Sequence, residues 1–375
     1  WDEWISKKSS RLAKHGTKTE QRYDSTTPPK VRGAVGLVNL GNTCYMNSIV
    51  QCLSNCAEFT EYFLDQSYLQ DLAPPARSSS SSSSSTMGST VAELLQRLWN
   101  SQKSVLSPRG LKREIGIANP DFRGNMQQDA SELLVLLFDR LSSDLKRASN
   151  NGGTIVAEKD NKQQAVQEES LSFWESYRQK NNSVVTDLMT YVEKQTTMCL
   201  TCKSRHHINT ASQVLQLSIP NSSFWSSTVS LESCFNLYEK KEVLEGLTCD
   251  HCKRKQKKVK YTRIGYLPEI LIITLNRFRM GYYSGQKVST YVEFPLHGLE
   301  LDGVVEGGEL KGVKYDLIAV SNHIGRSNKG GHYTTYARSP INNKWYKFDD
   351  TRVQEIRRDY VVTDKAYILF YKRRR

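Results

Sequence analysis

Three side-chain types stand where nucleophilic chemistry needs them. In Gly36-Leu37-Val38-Asn39-Leu40-Gly41-Asn42-Thr43-Cys44-Tyr45-Met46-Asn47, a thiol sits just where the apolar residues take up helical spacing: Tyr45, Met46, Ile49, Val50 and Leu53 recur every three or four positions. Thr43 or Asn42 is placed to cap that helix. A cysteine in its first turn meets the positive end of the helix dipole, which favours the reactive thiolate. Cys52 and Cys56 lie farther along the same helix, have no such neighbour, and read as packing residues.

A thiolate nucleophile calls for a base. His332, in Gly330-Gly331-His332-Tyr333-Thr334-Thr335-Tyr336-Ala337, opens a strand-like alternation behind two glycines that allow close approach. A second strand follows at Lys344-Trp345-Tyr346-Lys347-Phe348-Asp349-Asp350. If Arg338 pairs with Lys344, His332 lies opposite Asp350, and a shift of one residue puts it opposite Asp349. Either carboxylate could fix the imidazole tautomer and stabilise the imidazolium, and periodicity does not choose between them. The other histidines, including His323 nine residues upstream, lack this setting.

A separate constellation is suited to metal. Cys199-x-x-Cys202 and Cys249-x-x-Cys252 are each half of a tetrahedral thiolate site, with the chain between them folding out and returning. One structural Zn²⁺ is the expected occupant. His206, His207 and His251 rank below the cysteines as ligands. Eight cysteines in 375 residues are too few for a disulfide scaffold, so a reducing compartment, cytoplasmic or nuclear, is expected.

The elements that must position these groups fall in two zones. Helical periods dominate the first part, with a second wide apolar stripe at Leu133, Leu134, Leu137, Phe138 and Leu141. After about Leu188 the texture is β, and the run Ile270 to Leu275 reads as a central strand buried on both faces. Helices first and mostly antiparallel strands later indicate an α+β class. Residues 1–34 form a polar lead-in, and the first residue, Trp1, suggests a piece of a longer protein. The Ser78 to Ser85 tract marks a surface insertion, and the polar stretch Ser149 to Glu169 reads as a second loop.

No apolar run is long enough to cross a membrane as a helix. The net charge of +13 permits nucleic-acid binding, but much of it is local. The run Lys253 to Lys260 lacks interleaved aromatics and reads as an exposed strand edge, which disfavours nucleic acid as a partner.

Around Cys44 and His332 the sequence closely resembles the ubiquitin-specific protease family. The resemblance extends through Gln127-Gln128-Asp129-Ala130-Ser131-Glu132-Leu133, Leu267-Pro268 to Arg277-Phe278, Phe294-Pro295-Leu296, and Tyr315-Asp316-Leu317 to His323, covering about Val35 to Tyr371 in the family's order. It implies a papain-like catalytic domain over 35–372. Its thumb spans 35–148 with the Ser-rich insertion at 74–89, a polar insertion follows at 149–172, zinc-bearing fingers occupy 188–262, and the palm 263–372.

The resemblance also implies deubiquitination. Cys44 corresponds to the nucleophile, His332 to the base, Asp349 to the orienting acid with Asp350 as alternate, and Asn39 to the oxyanion-hole side chain. Gln128, Asp129 and Glu132 match positions that contact ubiquitin, whose conjugates are the implied substrates. Asn276 departs from the family's usual lysine, and Ser212 from its common acid. A catalytically degenerate ubiquitin-binding module and a basic zinc protein binding nucleic acid are the competing functions.

Overall fold

Why Ile270 to Leu275 is apolar without interruption is explained by two cores on opposite sides of one sheet. Ile270 and Ile272 face the first core, built mainly from helices, whereas Leu271, Ile273 and Leu275 face the second. A strand buried on both faces has no polar side to alternate with. The computed structural model describes residues 28–72, 85–147, 164–221, 228–279, 286–327 and 330–375. Most of the polar lead-in and of the serine tract lies outside the described residues.

The helical part begins with a short parallel pairing of β1 (Gly36–Leu37) with β2 (Val105–Leu106). Between them come α1 (Cys44–Ser54), α2 (Ala57–Leu64) and α3 (Met87–Asn100). A reciprocal Thr86/Ser89 capping box starts α3 at the end of the expected 74–89 insertion, so that insertion closes on helix rather than loop. Then follow α4 (Arg109–Ala118), α5 (Ala130–Asp144), α6 (Gln164–Lys180) and α7 (Val184–Met189).

Every residue of α1 is buried, polar ones included. Its hydroxyls are matched to the sheet: Ser48 Oγ lies 2.7 Å from Ser321 Oγ and 2.9 Å from Thr335 Oγ1, and Thr335 Oγ1 donates to the Ser48 carbonyl at 2.8 Å. Buried hydroxyls left unpaired would cost about 1–3 kcal/mol each, so this network fixes how the helix sits on the strands.

The strands form two larger sheets. One contains β3 (Tyr191–Cys199), β4 (Arg205–Ser212), β6 (Glu242–Thr248) and β7 (Lys255–Tyr266), ordered β4-β3-β7-β6 and antiparallel throughout. The other takes β5 (Leu215–Ser218), β8 (Ile270–Asn276), β9 (Lys314–Ser327), β10 (Gly330–Arg338), β11 (Trp345–Asp349), β12 (Arg352–Ile356) and β13 (Ala366–Arg373). Their order is β12-β11-β10-β9-β13-β8-β5, with Leu299–Glu300 added on β9. Along that order only β5 and β8 run parallel. The architecture is α+β.

Two expectations are corrected. Residues 148–163 lie outside the described ones, but from Gln164 the polar stretch is helix, not loop. The pattern that reveals α6 lies beyond the polar part: Trp174 stacks on Tyr266 with ring centroids 4.1 Å apart, while fully buried Lys194 reaches Glu169 (2.9 Å) and Glu306 (3.4 Å). The basic run is not at an edge either. Lys255 to Lys260 belong to β7, an interior strand whose Lys258 to Lys260 are paired on both sides, and the edges of that sheet are β4 and β6. Among the described residues no helix is long and apolar enough to cross a membrane.

Gly36 shows how closely the segment before Cys44 is packed: a Cβ there would lie 2.5 Å from the Thr351 carbonyl oxygen. That obstacle is backbone and has no rotamer to adopt. Gly36→Ala should therefore destabilise the protein by about 1–3 kcal/mol through overpacking, checked by denaturant unfolding. Unchanged stability would contradict the close approach.

Candidate active site

Cys44 is the first residue of α1 and is 3% exposed. Thr43 is the N-cap but makes no side-chain cap bond to the helix. Its hydroxyl accepts from Leu40 N–H at 2.8 Å. Its own N–H donates to Asn39 Oδ1 at 3.0 Å, and Gly41 N–H donates to the same oxygen at 3.1 Å. Asn39 thus organises the turn that leads into Cys44, with Gly41 at φ +99° and Asn42 at φ +54°, conformations suited to glycine and tolerated by asparagine.

The hairpin brings one of the two carboxylates into contact with the imidazole. Arg338 pairs with Trp345 and Thr335 with Phe348, a register one residue beyond the Arg338–Lys344 alternative and two beyond the one that sets His332 opposite Asp349. Extending it would set Thr334 opposite Asp349, and His332, two residues away, then shares a face with Asp349. His332 Nε2 lies 2.7 Å from Asp349 Oδ1. Asp350 is at φ +50° and has left the strand.

Asp350 holds the other side of the site. Its Oδ2 accepts from Asn39 Nδ2 at 2.9 Å and its Oδ1 from Asn47 Nδ2 at 2.8 Å, while its carbonyl accepts from Leu37 N–H at 2.9 Å. The two adjacent aspartates therefore divide the work: Asp349 touches the imidazole, and Asp350 ties strand and turn to α1.

The electrostatics follow from these contacts. His332 is raised from 6.5 to about 9, chiefly by its hydrogen bond with Cys44, against the opposing effect of burial and with further help from Asp349. Burial would raise Asp349, but bonds from His332 and from Lys347, whose Nζ is 3.0 Å from Oδ2, hold it below the usual carboxylate range. Burial pushes the Cys52 and Cys56 thiols well up, in keeping with packing roles. His323 is fully buried, with its ring 4.7 Å from that of Tyr333 and 5.2 Å from that of Phe278. Burial, then Lys287, Arg277 and His332, pushes it down to about 4.

The acidic positions lie beside this centre. Asp129 caps α5 through Ser131 N–H (2.7 Å), and both its carboxylate oxygens accept from Tyr367 Oη at 2.9 Å. Gln128 Nε2 donates to the Asp121 carbonyl at 2.7 Å. Glu132 is exposed and raised by partial burial, then by Asp129 and Asp121. Tyr333 is pushed up by burial and by Asp129, Cys44 and Glu132 together, so one phenol beside His332 senses both groups. Sequence reasoning missed Asn47 and the bridging role of Asp350. Asn47 offered a signal, being a buried-face polar residue three positions after Cys44.

The four cysteines of the paired motifs also meet, with all Sγ atoms within 4.8 Å of one another. Each pair forms the same knuckle. Lys203 N–H donates to the Cys199 carbonyl and Cys199 N–H to Ser204, and Lys253, Cys249 and Arg254 repeat the pattern. Lys203 and Lys253 both have positive φ, at +60° and +57°. The Cys202 to Cys249 sulfur separation is 3.7 Å. Tetrahedral thiolates at Zn–S distances near 2.3 Å stand about 3.8 Å apart, so this donor set fits such an ion.

A model of the ubiquitin carboxyl-terminal hydrolase family matches residues 35–371. The chain belongs to that family. It is 34% identical to ubiquitin carboxyl-terminal hydrolase 2 of Bos taurus, over 98% of this chain and 60% of that protein, and 34% identical to the Homo sapiens protein of the same name, over 93% and 56%. Ubiquitin carboxyl-terminal hydrolase 21 of Bos taurus is 31% identical over 91% of this chain and 61% of its own length. The chain thus spans somewhat more than half the length of these relatives. Its fold is similar to a chain of the SAGA Ubp8/Sgf11/Sus1/Sgf73 DUB module bound to ubiquitin aldehyde, with a TM-score of 0.73, 22% identity, and coverage of 100% of this chain and 75% of that one.

Because Cys44 is the largest cause of the raised His332 value, titration of His332 by NMR should show a midpoint near 9, falling in Cys44→Ala. The sign for stability follows. A folded-state value above 6.5 means that the contribution of His332 is fully present below that pH and is lost as pH rises through about 9. A midpoint at or below 6.5 in the unsubstituted protein would contradict the Cys44 contact.

Proposed function

We propose that the chain is a deubiquitinating thiol protease that hydrolyses the bond after ubiquitin's C-terminal glycine, isopeptide or peptide, through Cys44, His332 and Asp349. The observation that carries this reading is the set of groups at the mouth of α1: the Cys44 thiol, the imidazole it helps to raise to about 9, and a carboxylate 2.7 Å from that imidazole's Nε2. With Nε2 committed to Asp349, Nδ1 is the nitrogen available to Cys44. An imidazolium held protonated at neutral pH stabilises a thiolate beside it.

In the proposed reaction the Cys44 sulfur attacks the glycine carbonyl, and the carbonyl π electrons move to oxygen. Asn39 supplies the side-chain donor for that oxyanion: one Nδ2 hydrogen is held by Asp350, which fixes the amide, and the other remains for the substrate. On collapse the amine leaves with the proton from His332, giving a thioester. His332 then takes a proton from water as the water attacks, and the thioester C–S bond breaks to release ubiquitin's carboxylate and the Cys44 thiol.

Gln128, Asp129 and Glu132 are assigned to the ubiquitin tail. Glu132 fits this role because partial burial, and after it the carboxylates of Asp129 and Asp121, raise it, a penalty that a basic side chain would relieve. Asp129, already capped and bonded to Tyr367, would act as part of a fixed acidic wall. By the same reading, the thumb is the helical part, the β4-β3-β7-β6 sheet forms the fingers with one structural Zn²⁺ on Cys199, Cys202, Cys249 and Cys252, and the palm is the larger sheet. Zinc there would cross-link the two knuckles and take no part in bond cleavage.

Ubiquitin carrying a C-terminal electrophile should form a covalent adduct with the protein under reducing conditions with zinc retained, and Cys44→Ala should form none. A wild-type protein that stays unmodified refutes the protease assignment.

Metal analysis of the purified reduced protein should find one zinc per chain, lost in the Cys202→Ser/Cys252→Ser double variant. Loss should raise KM for a ubiquitin substrate more than it slows alkylation of Cys44, because the fingers contact only the bound ubiquitin. Absence of stoichiometric zinc in the wild type rules the assignment out.

A further inference from the structure

One half-buried cation outside the triad is spent on backbone beside the nucleophile. Lys112, on α4, directs its ammonium at three oxygens: the Phe122 carbonyl, the Gly124 carbonyl at 2.9 Å and Tyr45 Oη at 3.3 Å. Among the described residues it has no carboxylate partner, and partial burial lowers its pKa. A cation in that position is a poor stabiliser, since desolvation is not offset by an opposite charge. What it does well is hold three groups in fixed relation. Tyr45 follows Cys44 directly in α1, and Phe122 to Gly124 form the start of a loop that touches the nucleophile's turn.

That loop is held at each end and in the middle. Asn119 Oδ1 accepts from Asp121 N–H at 3.0 Å, and Gln128 Nε2 reaches back to the Asp121 carbonyl. Its far side abuts the turn before Cys44. Asn42 Nδ2 donates to the Asn125 carbonyl at 2.9 Å, and a Cβ on Gly41 would come within 3.3 Å of Asn125 Cγ. The turn from Asn39 to Cys44 is therefore braced on two sides: from the sheet by Asp350, and from the helices by the loop that Lys112 holds.

We propose that Lys112 is a positioning residue for the acyl transfer, keeping the Asn39-to-Cys44 turn in the geometry that receives the oxyanion by fixing the Phe122-to-Asn125 loop against it. The inference rests on the deubiquitinase reading. Lysine suits the task because three rotatable N–H donors meet three oxygens on two different elements. Loosening the loop would leave the thiol and His332 in place. It would let the donors of the turn drift from where negative charge develops, and such misplacement acts on the rate of the bond-making step.

The test compares the wild type, Lys112→Met and Lys112→Arg in the full chain with zinc retained. Hydrolysis of a ubiquitin C-terminal amide substrate is measured beside alkylation of Cys44 by iodoacetamide, which requires the thiolate but forms no oxyanion. In Lys112→Met, kcat should fall on the order of tenfold while KM and the alkylation rate stay within about twofold, and Lys112→Arg should recover part of kcat. A Lys112→Met protein with unchanged kcat overturns the inference. So does one whose kcat and alkylation rate fall together with its thermal midpoint, which would make Lys112 only a structural residue. A wild type inert towards the amide substrate would instead bring down the deubiquitinase reading, and this inference with it.

Discussion

The site exists only if α1 is seated on the β10–β11 hairpin, because its two halves come from segments nearly 300 residues apart. Asp350 is the joint. Its carboxylate accepts from Asn39 and Asn47, and its carbonyl accepts from Leu37, so one left-handed residue bonds strand, turn and helix at once. A carboxylate that accepts from two amides loses little on leaving water, provided both stay in reach. The buried Ser48, Ser321 and Thr335 hydroxyls do the same one helical turn deeper. Seating α1 is thus a matter of matched polar groups, and the placement of Cys44 relative to His332 and Asp349 inherits its precision.

The division of labour between neighbouring aspartates follows from strand geometry. The strand ends at Asp349, which bonds His332, while the carboxylate of Asp350, though within 4.8 Å of the same group, accepts from Asn39 and Asn47. The left-handed backbone at Asp350 ends the strand and turns its side chain to the helix. An aspartate tolerates that conformation better than most residues. A positive φ one residue after the base's partner therefore lets two carboxylates serve the halves of the site separately.

Much of this was legible before any coordinates. Cys44 could be singled out because a helix start has a physical signature, and the two CxxC pairs because thiolate ligands have a fixed spacing. The buried strand showed itself by an unbroken apolar run. The aspartate could not be chosen, because a loop of uncertain length leaves the register free and each slip of one residue exchanges the faces. The α6 helix was hidden by its polar first turns, since its apolar contacts, Trp174 on Tyr266, are tertiary and spaced by most of the β-rich arm. The basic run was placed at an edge because charge often marks edges. Here its lysines lie on an interior strand of a four-stranded sheet whose faces stay partly exposed, so pairing on both sides does not require an apolar strand.

Net charge illustrates how far composition can mislead about a site. The chain carries +13, yet the groups near Cys44 and His332 include Asp129, Glu132, Asp349 and Asp350. Long-range attraction follows the sum of charges and is screened within about 8–10 Å at ordinary ionic strength, whereas a bound chain feels the carboxylates it touches. Asp349 and Asp350 are spent internally, on His332 and on the asparagines. Asp129 is spent on a helix cap and Tyr367. Of these, Glu132 combines exposure with a value raised first by partial burial and then by like-charged neighbours, so it has most to gain from a cation. The two runs of like positive charge, by contrast, fall on β7 and at the C-terminal end of β13. The charge that a ligand would meet at such a site is set by these local carboxylates and not by the sum over the chain.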